Sequence, residues 1–465
     1  MKLILLSGGS GKRLWPLSND ARSKQFLKVL KNEAGQLESM VQRVWRQLNK
    51  VGLADSAYIA TSKTQVDMIH NQLGTEIPVI VEPERRDTFP AIALAVTYLY
   101  SEANVDPEES VCVLPVDPYV EDRFFEGVKE LENILNQSEA EFALMGVTPT
   151  YSSEKYGYIV PEFQGNDLYA KVGYFKEKPS EKVAKELIKQ GSLWNCGVFA
   201  FKLKDIISKI AEKGFSINYR ELYEQYSELP KTSFDYEVIE RVKEIIVLPY
   251  SGSWKDLGTW NTLTEEMSEI VTGKGVISKD SVNSHLINEI DIPIAVLGLS
   301  NVVIAASPDG ILVSEKGASP RVKEIMSDYK NRPMFEERRW GWYRVLDHFK
   351  SHDGLETLTK RIEISAGKNL SYQMHNHRNE VWTIANGKGE VALDGLIYQV
   401  GPGDMLQIPM GRKHGIKAIT DIEMIEIQMG KELVEEDIIR VFLQWNEVET
   451  HCRRAIAKPL VANSY

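Results

Sequence analysis

Leu3-Ile4-Leu5-Leu6-Ser7-Gly8-Gly9-Ser10-Gly11-Lys12-Arg13-Leu14-Trp15-Pro16-Leu17-Ser18 runs from an apolar stretch straight into a glycine cluster. Four apolar residues in a row, closed by turn residues, read as a short buried strand. Glycines directly after a strand let the backbone approach a ligand closely, and their N–H groups can form an anion nest. Two familiar phosphate motifs do not fit. A Walker A loop needs glycine where Leu6 stands and serine or threonine where Arg13 stands. A dinucleotide fingerprint begun at Gly9 needs its last glycine at Leu14.

The alternation continues downstream. Ser56 to Ala60 reads as a strand before a helical Lys63 to Leu73, and Ala91 to Tyr100 as a helix before the buried-strand run Ser110 to Val116. Strands alternating with helices imply an α/β domain, with a mostly parallel sheet covered on both faces, over residues 1–265. From Gly273 to Lys316 the pattern becomes short apolar strands between Gly, Asn, Asp and Pro. Ser319 to Arg338 is polar and helical-looking, so 266–338 reads as a small β segment and connector. Residues 339–445 are strand-like throughout, with turn signals at Asn386-Gly387, Asp394-Gly395 and Gly401-Pro402-Gly403, as in a sandwich or small barrel. Residues 446–465 read as a poorly ordered tail.

Composition narrows the function. At 465 residues the chain is long enough for about three domains. With 55 basic and 66 acidic residues its net charge is −11, which argues against nucleic acid or an anionic membrane as a general partner. A small phosphorylated substrate needs only a few placed cations. No apolar run reaches the length of a membrane span or a signal-peptide core. Cys112, Cys196 and Cys452 are scattered without a CxxC pair, so a cytoplasmic setting is expected.

The extended pattern Gly-Gly-x-Gly-x-Arg-Leu-x-Pro-Leu, followed by Lys24-Gln25-Phe26, resembles the sugar-nucleotidyltransferases, specifically the mannose-1-phosphate guanylyltransferases. Further segments agree in order: Glu82-Pro83-Glu84-Arg85-Arg86-Asp87, Leu114-Pro115-Val116-Asp117, Phe175-Lys176-Glu177-Lys178-Pro179, Trp194-Asn195-Cys196-Gly197, Phe234-Asp235-Tyr236 and Trp254-Lys255-Asp256-Leu257-Gly258. Each alone has a plain structural reading, such as Asp117 as a cap or Glu177 and Lys178 as a surface pair; their joint order carries the resemblance. It implies that the phosphate oxygen of mannose 1-phosphate attacks the α-phosphorus of GTP in line, giving GDP-mannose and pyrophosphate. Two polyanions must meet, so charge neutralisation and alignment dominate.

By the same resemblance Arg13, Lys24, Asp117 and Asp256 are the catalytic set. Gly8, Gly9, Gly11, Arg13, Lys24, Glu82 and Arg86 hold the nucleotide, and Gly157, Glu177, Lys178, Asn195 and Asp235 the sugar phosphate. Asp117 and Asp256 would ligate Mg²⁺, a hard cation suited to carboxylates. Ser23, Lys12, Pro118 and Cys196 depart from the family's usual proline, threonine, histidine and serine. Pro118 puts the shape of the metal site in question. Two alternatives stay open: a nucleotidyltransferase for another base or sugar, and a sugar-nucleotide-sensing subunit without turnover. A homo-oligomer is also left open.

In the β-rich half, Gln373-Met374-His375-Asn376-His377-Arg378-Asn379-Glu380 is followed by Gly403-x5-Pro409-x-Gly411-x2-His414. Alternate residues of a strand share a face, so His375 and His377, with Glu380 and His414, form a candidate divalent-metal cage for zinc, cobalt, manganese or iron. Gln373 is an alternative ligand. This part resembles the cupin domain of type II mannose-6-phosphate isomerases, which follows the guanylyltransferase in bifunctional enzymes. The resemblance implies a second activity, interconversion of mannose 6-phosphate and fructose 6-phosphate, with Lys360, Arg361 or Arg378 on the substrate phosphate. Asn376, Val381 and the Val441–Trp445 stretch replace polar residues usual in that family and count against it. The polar connector suggests two separable halves.

Overall fold

The structure, a computed structural model, describes residues 1–9, 11–162, 168–329, 332–435 and 437–455. Its first part is built on a nine-stranded sheet. In spatial order the strands are Val79–Glu82, Ala57–Ser62, Lys2–Ser7, Ser110–Pro115, Leu193–Lys202, Phe142–Val147, Ile245–Tyr250, Ala170–Lys176 and Tyr158–Glu162. Seven run one way, while Leu193–Lys202 and Ala170–Lys176 run against them. Leu3 and Leu5 enter an apolar cluster with helices Met40–Lys50 and Arg123–Gln137. Ile4 enters another with helices Thr88–Ser101 and Leu203–Glu212. Helices therefore cover both faces, and the inner stretches of Lys2–Ser7, Ser110–Pro115 and Phe142–Val147 are apolar. The parallel strands Lys2–Ser7 and Ser110–Pro115 end side by side, which puts the glycine cluster and Asp117 at the same carboxyl edge.

Residues 271–315 form a β-coil. Val271–Thr272 pairs in parallel with His285–Asn288, which pairs in parallel with Val302–Ser307, while Gly275–Ile277 pairs with Ile294–Val296. The last turn folds back antiparallel as Gly310–Glu315. The connector is less helical than its polarity suggests. A 3-10 turn at Ser319–Arg321 leads into a four-residue helix, Val322–Ile325. Residues 335–338 are not connector but the strand Phe335–Arg338, which opens the next sheet; residues 330–331 lie outside the described residues. Its charged alternation hides a strand whose Glu336 faces inward, 8% exposed.

Two six-stranded sheets follow, face to face around Tyr343, Leu358, Trp382, Val391, Ile416 and Met424. The folded unit also extends past residue 445: helix Trp445–His451 buries Trp445 and Val448 against Tyr372 and Ala392, and Arg453–Arg454 adds an edge strand. The expected loose tail is therefore structured through residue 455, and 456–465 lie outside the described residues. The halves touch. Asn71 donates to the Arg338 carbonyl at 2.7 Å, and Arg338 pairs with Asp67 at 3.5 Å. Among the described residues no helix is long and apolar enough to cross a membrane.

Candidate active site

Gly11 sits at φ 61°, and a Cβ there would lie 2.5 Å from the Lys24 backbone nitrogen. Only glycine allows both the left-handed turn and that approach. Buried polar side chains fix the loop from behind. Ser18 donates to the Gly11 carbonyl and Ser23 to the Gly9 carbonyl. Gln65 donates to Gly9 O at 3.2 Å and to Ser23 Oγ at 2.6 Å, and Gln25 donates to Ser7 Oγ at 3.2 Å. Ser23, a departure from the family's proline, thus holds the loop by a hydrogen bond.

Strand Trp254–Asp256 pairs antiparallel with Pro118–Val120, setting Asp256 opposite Pro118 and beside Asp117. Lys24 Nζ reaches both carboxylates, 2.9 Å from Asp117 Oδ2 and 2.7 Å from Asp256 Oδ1. Burial alone would push the Lys24 ammonium down, but Asp117 and then Asp256 more than offset this and hold it well above the ordinary lysine value. Burial would raise Asp256, yet Lys24, and beyond it Arg13 and Lys155, keep that carboxyl below the ordinary range. Gly258 leaves the space: a Cβ there would be 2.9 Å from Asp256 Oδ1 and 3.3 Å from Lys24 Nζ. The exposed Arg13 borders, with Asp256, a cavity of about 380 Å³ walled by Tyr156, Trp194 and Trp254. Two carboxylates converging at this edge are a hard-oxygen donor set that fits Mg²⁺ once Lys24 yields its place.

The residues expected on the sugar side also converge. Strand Leu193–Lys202 bulges between Asn195 and Phe199, around Gly197 at φ 75°, and the bulge re-aims Asn195. Asn195 Nδ2 donates to Asp235 Oδ1 at 2.6 Å. Lys178, at the unusual φ of 42°, pairs with Glu177 at 2.6 Å. A Cβ on Gly157 would run into Glu177 Oε2, an atom that is buried without a hydrogen-bond partner. An orphaned buried acceptor suits a ligand hydroxyl. Burial, reinforced by Glu177, pushes the Asp235 carboxyl up to about 6. Tyr156 joins the two sides, its ring 4.9 Å from Trp194 and 5.3 Å from Trp254.

Glu82 ends its strand next to Gly8, accepts from the Tyr226 hydroxyl at 2.7 Å and is raised by burial. Arg86 points elsewhere: it donates to the Leu229 carbonyl at 3.0 Å and pairs with Glu84 at 2.9 Å. Of the sequence-derived nucleotide set it is the residue the structure keeps apart.

In the cupin sheets His375, Glu380 and His414 bring ligand atoms within 4.8 Å of one another, all three buried. His377 is not among them. Strand Tyr372–Met374 ends before His375 and the next begins at Arg378, so the alternation that would align His375 with His377 is lost in a turn and His377 is exposed. His375 Nδ1 donates to the Asp437 carbonyl and His414 Nδ1 to that of Arg412, which turns both Nε2 atoms toward Glu380, at 3.2 and 3.4 Å. His414 Nε2 has no hydrogen-bond partner. Two imidazole nitrogens and a carboxylate that converge fit a divalent metal, whose charge would offset Glu380. Arg378, 2.8 Å from Glu380 and 3.2 Å from His375 Nε2, supplies part of that charge. Gln373 Nε2 lies 3.4 Å from His375 Nε2. The three cations considered for a sugar phosphate are already paired: Lys360 with Glu435 at 2.7 Å, Arg361 with Glu423 at 2.6 Å, and Arg378 with Glu380. Burial and Glu380 push Glu426, behind the cage, up to about 7.

Residues 2–273 match the family profile described as Nucleotidyl transferase, and residues 329–442 that described as Mannose-6-phosphate isomerase C-terminal. The mannose-1-phosphate guanylyltransferase RfbM of Salmonella typhimurium is 31% identical over 481 residues, 94% of this chain and 96% of that protein. The alginate biosynthesis protein AlgA of Pseudomonas putida is 28% identical over 502 residues, 99% of each. A crystal structure from Thermus thermophilus, described as a mannose-1-phosphate geranyltransferase, is 27% identical with a TM-score of 0.59, covering 70% of this chain and 98% of its own.

Proposed function

The chain belongs to the mannose-1-phosphate guanylyltransferases within the nucleotidyl transferase family, and from that premise we propose that it transfers GMP from GTP to mannose 1-phosphate, releasing pyrophosphate. The observation that carries the reading is Lys24 bridging Asp117 and Asp256 directly behind the glycine turn. The loop amides and Arg13 receive the triphosphate, and Lys24 moves onto it when the carboxylates are engaged. Asp117 and Asp256 would hold Mg²⁺, which when bound supplies charge neutralisation between the two phosphates. Lys178 takes the sugar phosphate, while Glu177, Asn195 and Asp235 accept or donate to sugar hydroxyls. Glu82 lies on the nucleotide side; Arg86 is assigned no direct contact. Attack is in line, so what the chain contributes is alignment of two polyanions and cover for their charge.

In the cupin, His375, Glu380 and His414 would hold a divalent metal, with Nδ1 of each histidine fixed by a carbonyl. Isomerisation of mannose 6-phosphate needs a cation for the phosphate. Lys360 and Arg378 are buried and paired while Arg361 is partly exposed, so the transferase is the activity assigned here and a coupled assay for fructose 6-phosphate decides the second. With no cysteine paired among Cys112, Cys196 and Cys452, a cytoplasmic setting suits these substrates. A panel of nucleoside triphosphates against sugar 1-phosphates, read by pyrophosphate release, tests the substrate assignment. GTP with mannose 1-phosphate should lead; a different leading pair would move the chain to another sugar nucleotide, and GTP binding without release would make it a sensor.

A further inference from the structure

The stretch between Arg13 and Lys24 is anchored from outside the nine-stranded sheet. Trp15 lies over the backbone of Gly310, where a Cβ would come 2.5 Å from the indole. Ser307 donates to the Pro16 carbonyl at 2.7 Å. Asn19 donates to Asp309 at 2.8 Å, and Asp309 accepts in turn from the Met334 backbone at 2.6 Å. Arg22, 7% exposed, grips Glu289 through both terminal nitrogens at 2.7 and 2.9 Å. Its guanidinium lies 5.3 Å from the centre of the Phe335 ring. Beneath these contacts Leu14, Leu17 and Leu27 share one apolar cluster with Ile287, Val303 and Ala305.

The β-coil supplies Glu289, Ser307, Asp309 and Gly310; the first cupin strand supplies Phe335. Arg22 is followed by Ser23, which holds the Gly9 carbonyl, and by Lys24, which bridges the two aspartates. The acids that act on Arg22 are Glu289, Glu337 and Asp309, all beyond the nucleotidyltransferase sheet. A two-pronged arginine–carboxylate pair fixes orientation as well as charge, and loss of one partner leaves the other buried without compensation.

We propose that Arg22 is a positioning residue for the transfer reaction, clamped by Glu289 and Phe335, so that turnover at the glycine loop depends on the β-coil and the first cupin strand. This rests on the transferase reading above. The clamp acts on Lys24, whose charge matters most as the phosphates close on each other, so kcat should respond more than the KM for mannose 1-phosphate.

The test compares wild type, Glu289→Gln, Phe335→Ala and the swap Arg22→Glu with Glu289→Arg. For each, kcat, both KM values, Tm and hydrogen exchange at the 8–14 amides are measured. Glu289→Gln should lower kcat about tenfold or more and speed that exchange, with the KM for mannose 1-phosphate within about twofold. The swap should restore part of the loss, and Phe335→Ala should lower kcat by about threefold. A Glu289→Gln protein whose kcat and loop exchange match wild type overturns the proposal. If that variant does not fold, the same criteria apply to Phe335→Ala, whose ring is removed at the edge of a sheet. A wild-type protein that makes no GDP-mannose would sink the transferase reading alone, and the exchange data would then decide the clamp.

Discussion

Lys24 is held between Asp117 and Asp256 at 2.9 and 2.7 Å, so any divalent cation that takes those carboxylates must displace an ammonium. Removing the ammonium should therefore have opposite effects on two measurements. Lys24→Met should bind Mn²⁺ more tightly than wild type in calorimetry, because two close carboxylates lose their neutralising charge, yet turn over at least about tenfold more slowly. Weaker metal binding in that variant would mean that lysine and metal do not compete. Asp235 offers a second test at this scale. Its carboxyl titrates near 6 in the folded chain, against an ordinary value of 3.8, because burial and Glu177 disfavour the charge. The folded state then binds the proton more tightly, so this group's contribution favours folding at low pH and is lost as pH rises from about 4 to about 6. Asp235→Asn removes that slope and should gain stability relative to wild type between pH 4 and 7 in denaturant titrations. Equal pH profiles would show that Asp235 is not buried as described. Most of these residues were legible as motif positions; that Ser18, Ser23 and Gln25 hold the loop from behind, and that Gln65 joins them, was not, because a buried polar side chain has no spacing rule of its own.

The strand Leu193–Lys202 illustrates what periodicity cannot carry. Trp194-Asn195-Cys196-Gly197 is readable as a motif segment, but the strand it belongs to, that strand's antiparallel direction and the bulge at Asn195 depend on partners more than forty positions away in sequence, Gly146 and Leu144 among them. The opposite failure occurs at His375 and His377, where a strand-like pattern crosses a turn and the alternation breaks. The β-coil was legible as short strands, not as parallel coils, since nothing local specifies pairing with the next strand but one. Gly157 gives the element-scale prediction. Its side chain would occupy the place of Glu177 Oε2 and lie 2.7 Å from Phe175. Gly157→Ala should therefore raise the KM for mannose 1-phosphate by about tenfold or more, leaving the KM for GTP within about twofold. A larger effect on GTP would relocate the sugar pocket.

Across the whole molecule, the two halves are less separable than the polar connector suggests, because Phe335, Glu337 and Arg338 reach Arg22, Gln72 and Asp67. A chain ended after residue 330 keeps Glu289 and the β-coil but loses those contacts, and should retain its fold with a lower kcat; unchanged turnover would make the cupin independent. The cage predicts about one divalent metal per chain by elemental analysis, lost in His414→Ala while guanylyl transfer continues. Metal retained in that variant would place it elsewhere. On the proposed reading, two aspartates, reached by one lysine at the edge of the nine-stranded sheet, run guanylyl transfer. That reading is tested most directly by following GDP-mannose and pyrophosphate together, from GTP and mannose 1-phosphate, in wild type and Asp256→Asn as Mg²⁺ is titrated. Equimolar products that require Mg²⁺ are expected in wild type, with a loss of at least about a hundredfold in the variant, whose fold is unchanged by circular dichroism. Full turnover in Asp256→Asn, or product formation indifferent to Mg²⁺, would contradict the reading.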